Sequence, residues 1–243
     1  ANTMVDFAAA YFDKADPEEL LARGPATLFA IAKAHWRLME SARPAQAAQV
    51  RVFNPTLAEH GFVSEHTAIQ IVNDDMPFLV DSVTMAVNRN GRTAHWIVHP
   101  ILEVQRNGDG GLVMATDAHI DASGAMESLI FVECDRILSA EHRDKLAADL
   151  IQVLQDVRAA VQDWHPMVER LHSLSAAAAH SPLCAERRQE GIAFLNWLED
   201  RNFTFLGARD YHVVHSGDTV HLQAIDGSGL GLLRGAPQTA SSV

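Results

Sequence analysis

The sequence has little of what marks a secreted, metal-dependent or nucleic-acid-binding protein. Its two cysteines, Cys134 and Cys184, form no CxxC pair, which excludes a disulfide framework and a cysteine-built zinc site. Cys134 sits in an apolar run and reads as a small core residue. Positive charge is scarce: 19 Lys and Arg stand against 31 Asp and Glu, for a formal net charge of -12. No basic stripe is visible, so nucleic acid is not an expected partner. The same acidity disfavours an anionic membrane surface. No apolar run approaches spanning length and no secretory leader opens the chain, so the expected compartment is the cytoplasm.

What is present is ordinary globular composition, with 48% hydrophobic and 21% charged residues over 243 positions. That is ample for a core without disulfides or metals, and its length suits one domain plus part of another. The chain reaches its first methionine at Met4, and it ends in Gly-Ala-Pro-Gln-Thr-Ala-Ser-Ser-Val without a closing element. The expectation is a fragment of a longer protein.

The first forty residues read as helical. Met4 to Phe12 favours one apolar face. Asp16-Pro17-Glu18-Glu19 is a helix start with a capping side chain, proline at the first position and acids in the first turn. Gly24-Pro25 breaks that helix, and a second carries Leu28, Ile31, Ala32, His35, Leu38 and Met39 at helical spacing until Arg43-Pro44. Val50 to Phe53 is a short strand stopped by Asn54-Pro55.

Thr67 to Val72 alternates and is rich in β-branched residues, which predicts a strand. Asn73 to Pro77 turns into a helix with Leu79, Val83, Ala86 and Val87 on one face, stopped by Asn90-Gly91. Thr93 to Arg106 reads as one long strand with Trp96, Val98, Leu102 and Val104 on one face. Pro100 inside it predicts an edge position or a bulge, and Asn107-Gly108 signals a hairpin. Met126 to Asp135 is a further strand, Ile130, Val132 and Cys134 facing one way and Leu129 and Phe131 the other. Ser139 opens a helix carrying Leu146, Leu150, Val153, Leu154, Val157 and Val161.

The order strand–helix–strand–strand–helix is the split βαβ pattern of ferredoxin-like α+β folds, short of its last strand. Residues 50 to 53 or another chain could fill that edge. Two helices cover one face of an apolar sheet, so the N-terminal helices, a second domain or a second subunit must cover the other. Beyond Trp164-His165-Pro166 come helices over Met167 to Ala179 and Ala185 to Asp200. Phe203 to Val214 and Val220 to Ile225 then form a hairpin about Gly217-Asp218, the opening of a second α/β unit.

The segment Ile71-Val72-Asn73-Asp74-Asp75-Met76-Pro77-Phe78-Leu79-Val80-Asp81-Ser82-Val83-Thr84-Met85 closely resembles the N-terminal region of the large bacterial NAD-specific glutamate dehydrogenases. Matching stretches follow in the same order: Ala34-His35-Trp36-Arg37, Val50-Arg51-Val52-Phe53-Asn54-Pro55 and Glu59-His60-Gly61-Phe62 before it, then His99-Pro100-Ile101 and Glu127-Ser128. Phe194-Leu195-Asn196-Trp197-Leu198, Phe203-Thr204-Phe205-Leu206-Gly207 and Gly227-Ser228-Gly229-Leu230-Gly231 carry it to the second unit. The resemblance implies a multi-domain parent that converts L-glutamate, NAD and water to 2-oxoglutarate, ammonium and NADH, with catalytic and NAD-binding domains downstream of ACT-like modules. It implies no catalytic residue in this chain, because the family's catalytic motifs are absent from it. The implied arrangement is a helical segment at 1–44, an ACT-like domain at 45–163, linker helices at 164–201 and the start of a second ACT-like or β-containing domain at 202–243. The implied role is regulatory and oligomer-forming, with the downstream domains and further copies as partners, no cofactor of its own, and an amino acid as possible effector.

The candidate ligand site is the turn Asn73, Asp74, Asp75, Met76, Pro77 and Phe78, where a helix N-terminus offers N–H groups to a carboxylate. The plainer alternative is that Asp74 or Asp75 caps the helix and Pro77 occupies its first turn. Amino-acid-binding ACT modules usually carry Pro-Gly here. Phe78 stands in the glycine's place, where it would crowd the backbone or fill the pocket, so domain or subunit contact ranks above amino-acid binding.

Other chemistry is weaker. His95 and His99 share a strand face without adjacency, and His60 and His66 flank a loop, so no metal is expected. Gly227 to Gly231 departs from GxGxxG at Leu232 and is a turn-rich loop. Asp117, Asp121, Glu127, Glu133 and Asp135 read as exposed acids, not paired catalytic carboxylates. There is no GxSxG, so an independent small-molecule enzyme is the remote alternative.

Overall fold

The fold is that of a computed structural model, which describes residues 4–117, 124–216, 219–235 and 241–242. The chain divides into two units, residues 1–155 and 156–243.

The first unit opens with helices α1 (Met4–Phe12), α2 (Pro17–Arg23) and α3 (Pro25–Glu40). Asp16 caps α2 by accepting from the Glu18 N–H at 2.8 Å, with Pro17 at the first helical position, as the motif demands. Next come β1 (Gln49–Phe53), the single turn α4 (Leu57–His60), β2 (Thr67–Asp74), α5 (Leu79–Arg89), β3 (Ala94–Val98), β4 (Ile101–Arg106), β5 (Leu112–Asp117), β6 (Ala125–Cys134) and α6 (Ala140–Gln162), whose last residues enter the second unit.

The sheet is antiparallel in the order β1-β2-β6-β4-β5, with β3 beside β4 on the same edge of β6. Strand β2 and the β3–β4 line flank β6 and are joined through α5, which makes the split βαβ unit of a ferredoxin-like α+β fold. Of the two expected occupants of the missing edge, β1 takes it, pairing Gln49 with Val72 through Phe53 with Ala68.

Alternation decides what each face meets. Ala68 and Val72 of β2, Leu129 and Phe131 of β6, and Trp96, Val98, Leu102 and Val104 form one core with Phe7, Tyr11 and Phe12 of α1 and Ile31, Ala32, Ala34 and Met39 of α3. The N-terminal helices are therefore the cover for that face, as one of the three expected occupants. The opposite parity buries Ile69, Ile71, Ile130, Val132 and Cys134 completely or nearly so, on the side of the buried stripes of α5 and α6, Leu79, Val83, Ala86 and Val87 and Leu146, Leu150 and Leu154. Burial pushes the Cys134 thiol up to about 11, so it packs and does not react.

Two readings are corrected here. The strand expected over Thr93 to Arg106 is interrupted at His99-Pro100, yet both halves hold one register on β6, Val98 facing Phe131 and Ile101 facing Ser128. Pro100 is thus not at a bulge. Its carbonyl accepts from the Leu129 N–H at 2.9 Å, and only the bond its missing N–H would donate is lost. The irregularity lies between Ala94 and Trp96. The hairpin signalled at Asn107-Gly108 forms, β4 pairing with β5. Its loop runs from Asn107 to Gly111, the Asn107 side chain accepts from the Asp109 and Gly111 N–H groups, and the left-handed residue is Gly110 at φ 81. A Cβ at Gly110 would stand 2.3 Å from the Arg43 carbonyl oxygen, so the close approach of these two loops requires glycine.

The second unit holds α7 (Trp164–Ala178) and α8 (Ala185–Trp197), which runs into a π-helical turn, Leu198–Asn202. The second correction falls here. The strand expected over Phe203 to Val214 splits into β7 (Gly207–Ala208) and β8 (Tyr211–Ser216), which join different sheets. β7 pairs with β10 (Leu230–Gly231), whereas β8 forms a hairpin with β9 (Thr219–Ala224), and β9 also pairs with β11 (Ser241–Ser242). The split follows from Asp210, whose N–H donates to the Ser228 hydroxyl and whose carbonyl accepts from Ile225 N–H, bending the chain. The turn residues Gly217-Asp218 lie outside the described residues. No helix among the described residues is long and apolar enough to cross a membrane.

Candidate functional site

The turn begins where β2 leaves the sheet. Asn73 and Asp74 are its last two residues, paired with Ser128 and Glu127 of β6. Asn73 is buried and donates through Nδ2 to the Asp74 carbonyl at 2.9 Å. The Asp75 N–H donates to the Met126 carbonyl at 2.9 Å. Phe78 is the residue before α5, in the left-handed region at φ 70, with no side-chain cap.

The capping alternative therefore fails. Asp74 accepts from Arg43 Nη2 at 2.5 Å, and Asp75 accepts from the Ser128 hydroxyl at 2.5 Å. Pro77 precedes the helix instead of occupying its first turn. Nor does Phe78 fill a pocket: it takes the backbone conformation of a glycine and leaves its ring 54% exposed. Such a conformation costs a non-glycine residue on the order of 1–3 kcal/mol. Phe78→Gly removes that strain but gives up a ring that is nearly half buried, so the comparison that isolates the strain is with Phe78→Ala, which loses the same ring and keeps the left-handed backbone: the glycine variant should be the more stable of the two by about 1 kcal/mol. Urea midpoints of the two variants check this.

Asp74 is one corner of a buried ionic network. Glu127, 1% exposed, accepts from Arg43 Nη2 and Arg106 Nε, each at 2.6 Å, and from Arg106 Nη2 at 2.9 Å. Arg106 also donates to the carbonyls of Met39 and Gly110, and Arg43 to that of Ala47. Burial by itself would lower the Arg43 pKa, but hydrogen bonds and charge from Glu127 and Asp74 outweigh it and hold the guanidinium above its ordinary value. The network ties the turn to the end of α3, to the β4–β5 loop and to β6. The sequence alone does not disclose it, because Glu127 reads there as an exposed acid. The signal was available: Glu127 and Glu133 have the parity of Leu129 and Phe131, so a strand buried on that face must bury both acids and supply each a cation. Glu133 receives Arg23 at 3.1 Å and the Ser64 hydroxyl at 2.7 Å.

Behind the turn, His99 Nε2 lies 3.0 Å from the Ser128 oxygen that donates to Asp75. Since that hydroxyl proton is committed to the carboxylate, His99 donates to Ser128. Burial lowers the His99 pKa, with Asp75 opposing and Lys14 adding to the shift. The imidazole edges a cavity of about 330 Å³ lined also by Tyr11, Lys14, Val98, Pro100 and Ile101.

The remaining expected groups are dispersed. Asp135 accepts from the Thr93 N–H and lies 2.7 Å from His95 Nε2, and His95 stacks on His66. His60 stacks on Phe53. No group of three His, Cys, Asp or Glu among the described residues could hold a metal ion. Asp121 lies outside the described residues. In the second unit, the Gly227 to Gly231 loop is held by Asp163, which accepts from the Gly231 N–H and Arg234, and by Arg170, which donates to the Ser228 carbonyl. A Cβ at Gly231 would stand 2.2 Å from the Leu206 carbonyl oxygen, so this glycine serves the β7–β10 contact.

Comparison with known proteins gives a consistent picture. A family model described as glutamate dehydrogenase, ACT1 domain, matches residues 7–150. The NAD-specific glutamate dehydrogenase of Halomonas elongata is 37% identical over 237 residues, 94% of this chain and 14% of the relative. That of Pseudomonas aeruginosa is 34% identical over 231 residues, again 94% and 14%. That of Mycobacterium tuberculosis is 27% identical over 181 residues, 69% of this chain and 10% of the relative. The chain thus spans a small part of the relatives it matches.

Proposed function

This chain belongs to the ACT1-domain family of glutamate dehydrogenase, and from that premise we propose that it is the non-catalytic N-terminal regulatory and oligomer-forming region of an NAD-dependent glutamate dehydrogenase in the cytoplasm. The parent would convert L-glutamate, NAD and water to 2-oxoglutarate, ammonium and NADH, with NAD held by downstream domains of the same chain. The observation that carries the reading is the Arg43–Glu127–Arg106 network with Asp74. It joins the exposed turn to the N-terminal helical layer through charges that cannot separate cheaply, which is the kind of stiff connection by which contact at one place biases another. The names of the relatives support the parent activity. Incubation of this chain alone with glutamate and NAD should form no NADH. Saturable glutamate-dependent NADH formation would overturn the reading in favour of an independent enzyme.

One observation favours a second reading, in which the module senses an amino acid at Asn73 to Phe78: the N-terminus of α5 has no side-chain cap, which leaves N–H groups for a carboxylate. If the Phe78 ring shields that end, Phe78→Gly strengthens amino-acid binding measured by calorimetry. No gain counts against sensing at this turn.

A further inference from the structure

At the opposite end of α5 a second cavity, of about 230 Å³, lies between the end of that helix and the start of α6, lined by Asn90, Arg92, Ile137, His142, Lys145 and Leu146. Its polar lining is unusual for this protein. In a chain with 31 acidic against 19 basic residues, the ionisable groups lining this cavity are an arginine, a lysine and a histidine. The side chains of Arg92 and His142 make no hydrogen bond or ion pair among the described residues, whereas Arg143 beside them is occupied by the carbonyls of Ile137 and Leu138. Lys145 donates to Asn90 Oδ1 at 3.2 Å and Asp149 at 2.6 Å. Asp149 is bonded to two of the lining residues, Asn90 and Lys145. Hydrogen bonds from Lys145 and Asn90 hold its carboxyl below the usual carboxylate range, with the charges of Lys145 and Arg89 adding to the effect, so it stays ionised and offsets one of the two cations, Arg92 and Lys145, that line the cavity.

We propose that this cavity binds a phosphate group. An unpaired guanidinium offers the planar donor fork that suits phosphate oxygens, with the Lys145 ammonium and the His142 ring beside it. The volume is below the roughly 300–1,000 Å³ typical of pockets for drug-sized ligands, which fits a free phosphate or the phosphate end of a small ester. The site is separate from the Asn73 to Phe78 turn and independent of what that turn does, so neither assignment stands or falls with the other.

The test is titration of this chain with inorganic phosphate at constant ionic strength, followed by amide NMR shifts. Saturable shifts confined to Asn90–Arg92 and the start of α6 are expected, with a Kd on the order of 1 mM, as befits two or three charge-assisted hydrogen bonds to an exposed anion. Arg92→Gln should weaken binding about tenfold. Asp149→Asn, which removes the competing carboxylate, should tighten it. Both positions are outside the core, so the fold is retained. A parallel titration with glycerol 3-phosphate identifies the source: tighter binding than inorganic phosphate assigns an ester, and equal or weaker binding a free anion. Shifts that never saturate, or a Kd that Arg92→Gln leaves unchanged, would overturn the proposal.

Discussion

Glu127→Gln should destabilise the first unit by about 3–5 kcal/mol, the cost of leaving buried charges without their counter-charge. The substitution keeps the side-chain shape and removes the one negative charge shared by two arginines, Arg43 at 5% and Arg106 at 12% side-chain exposure. Arg43 retains Asp74, but Asp74 is 32% exposed and so partly screened. Against a typical total of about 5–15 kcal/mol for a domain, that loss is large. Asp74→Asn should cost much less, about 1 kcal/mol, because its partner keeps Glu127. The double variant Arg106→Leu/Glu127→Leu leaves Arg43 paired with Asp74 and should recover a substantial part of the loss, since buried ion pairs are replaceable by packed apolar groups. Urea unfolding of the three variants decides it. A loss below about 1 kcal/mol for Glu127→Gln would mean that the network does not hold the N-terminal layer to the sheet.

The second large effect concerns pH. His35 is fully buried between Tyr11, whose hydroxyl lies 2.7 Å from Nδ1, and the Ile71 carbonyl, 3.1 Å from Nε2. A carbonyl only accepts, so the ring is the neutral tautomer with its proton on Nε2, and the tyrosine donates to Nδ1. Burial pulls the His35 pKa down to about 3, opposed by the hydrogen bond to Ile71 and reinforced by Arg51. The unfolded chain therefore takes up a proton below its ordinary value of 6.5 while the native state refuses it until about 3. Stability from this group is fully present above pH 6.5 and is lost as pH falls toward 3. Between pH 6 and pH 4 the expected loss is about 2.5 kcal/mol from this residue. His60 and His99, also lowered by burial, add in the same direction. Asp135, Asp149 and Asp163, held below 3.8, lose their contribution from about pH 5 downward, so they overlap this window only at its acid end and are untouched by substitution at His35. His35→Gln removes the titration and should flatten the slope of unfolding free energy against pH by close to one proton. An unchanged slope would show that His35 is protonated in the native state.

What the sequence made legible follows from how local each cause is. Helices α1 to α3, β2, α5, β6 and α6 were readable because period 3.6 or 2 and the capping or breaking residues lie within a few positions of one another. The two faces of β6 came from alternation alone. The hairpin at Asn107 implies a return strand, but Leu112 to Asp117 is too short to declare itself by pattern. The break at Pro100 and the division of Phe203 to Val214 were not readable, because each depends on pairing with residues far along the chain. The candidate turn was located correctly as the end of a strand and the start of a helix. Its chemistry was not. Locally Asp74 and Asp75 read as caps, while their partners, Arg43 and Ser128, stand 31 and 53 residues away. Long-range charge pairing leaves a trace in one sequence only through parity, and Glu127 and Glu133 carried that trace.

The most direct test of a regulatory and oligomer-forming role is to titrate this chain with the common amino acids by calorimetry while sizing it by light scattering over a range of concentrations. The expected result is concentration-dependent association, saturable binding of an amino acid, or both. A chain that stays monomeric throughout and binds no amino acid would contradict the role assigned to it here.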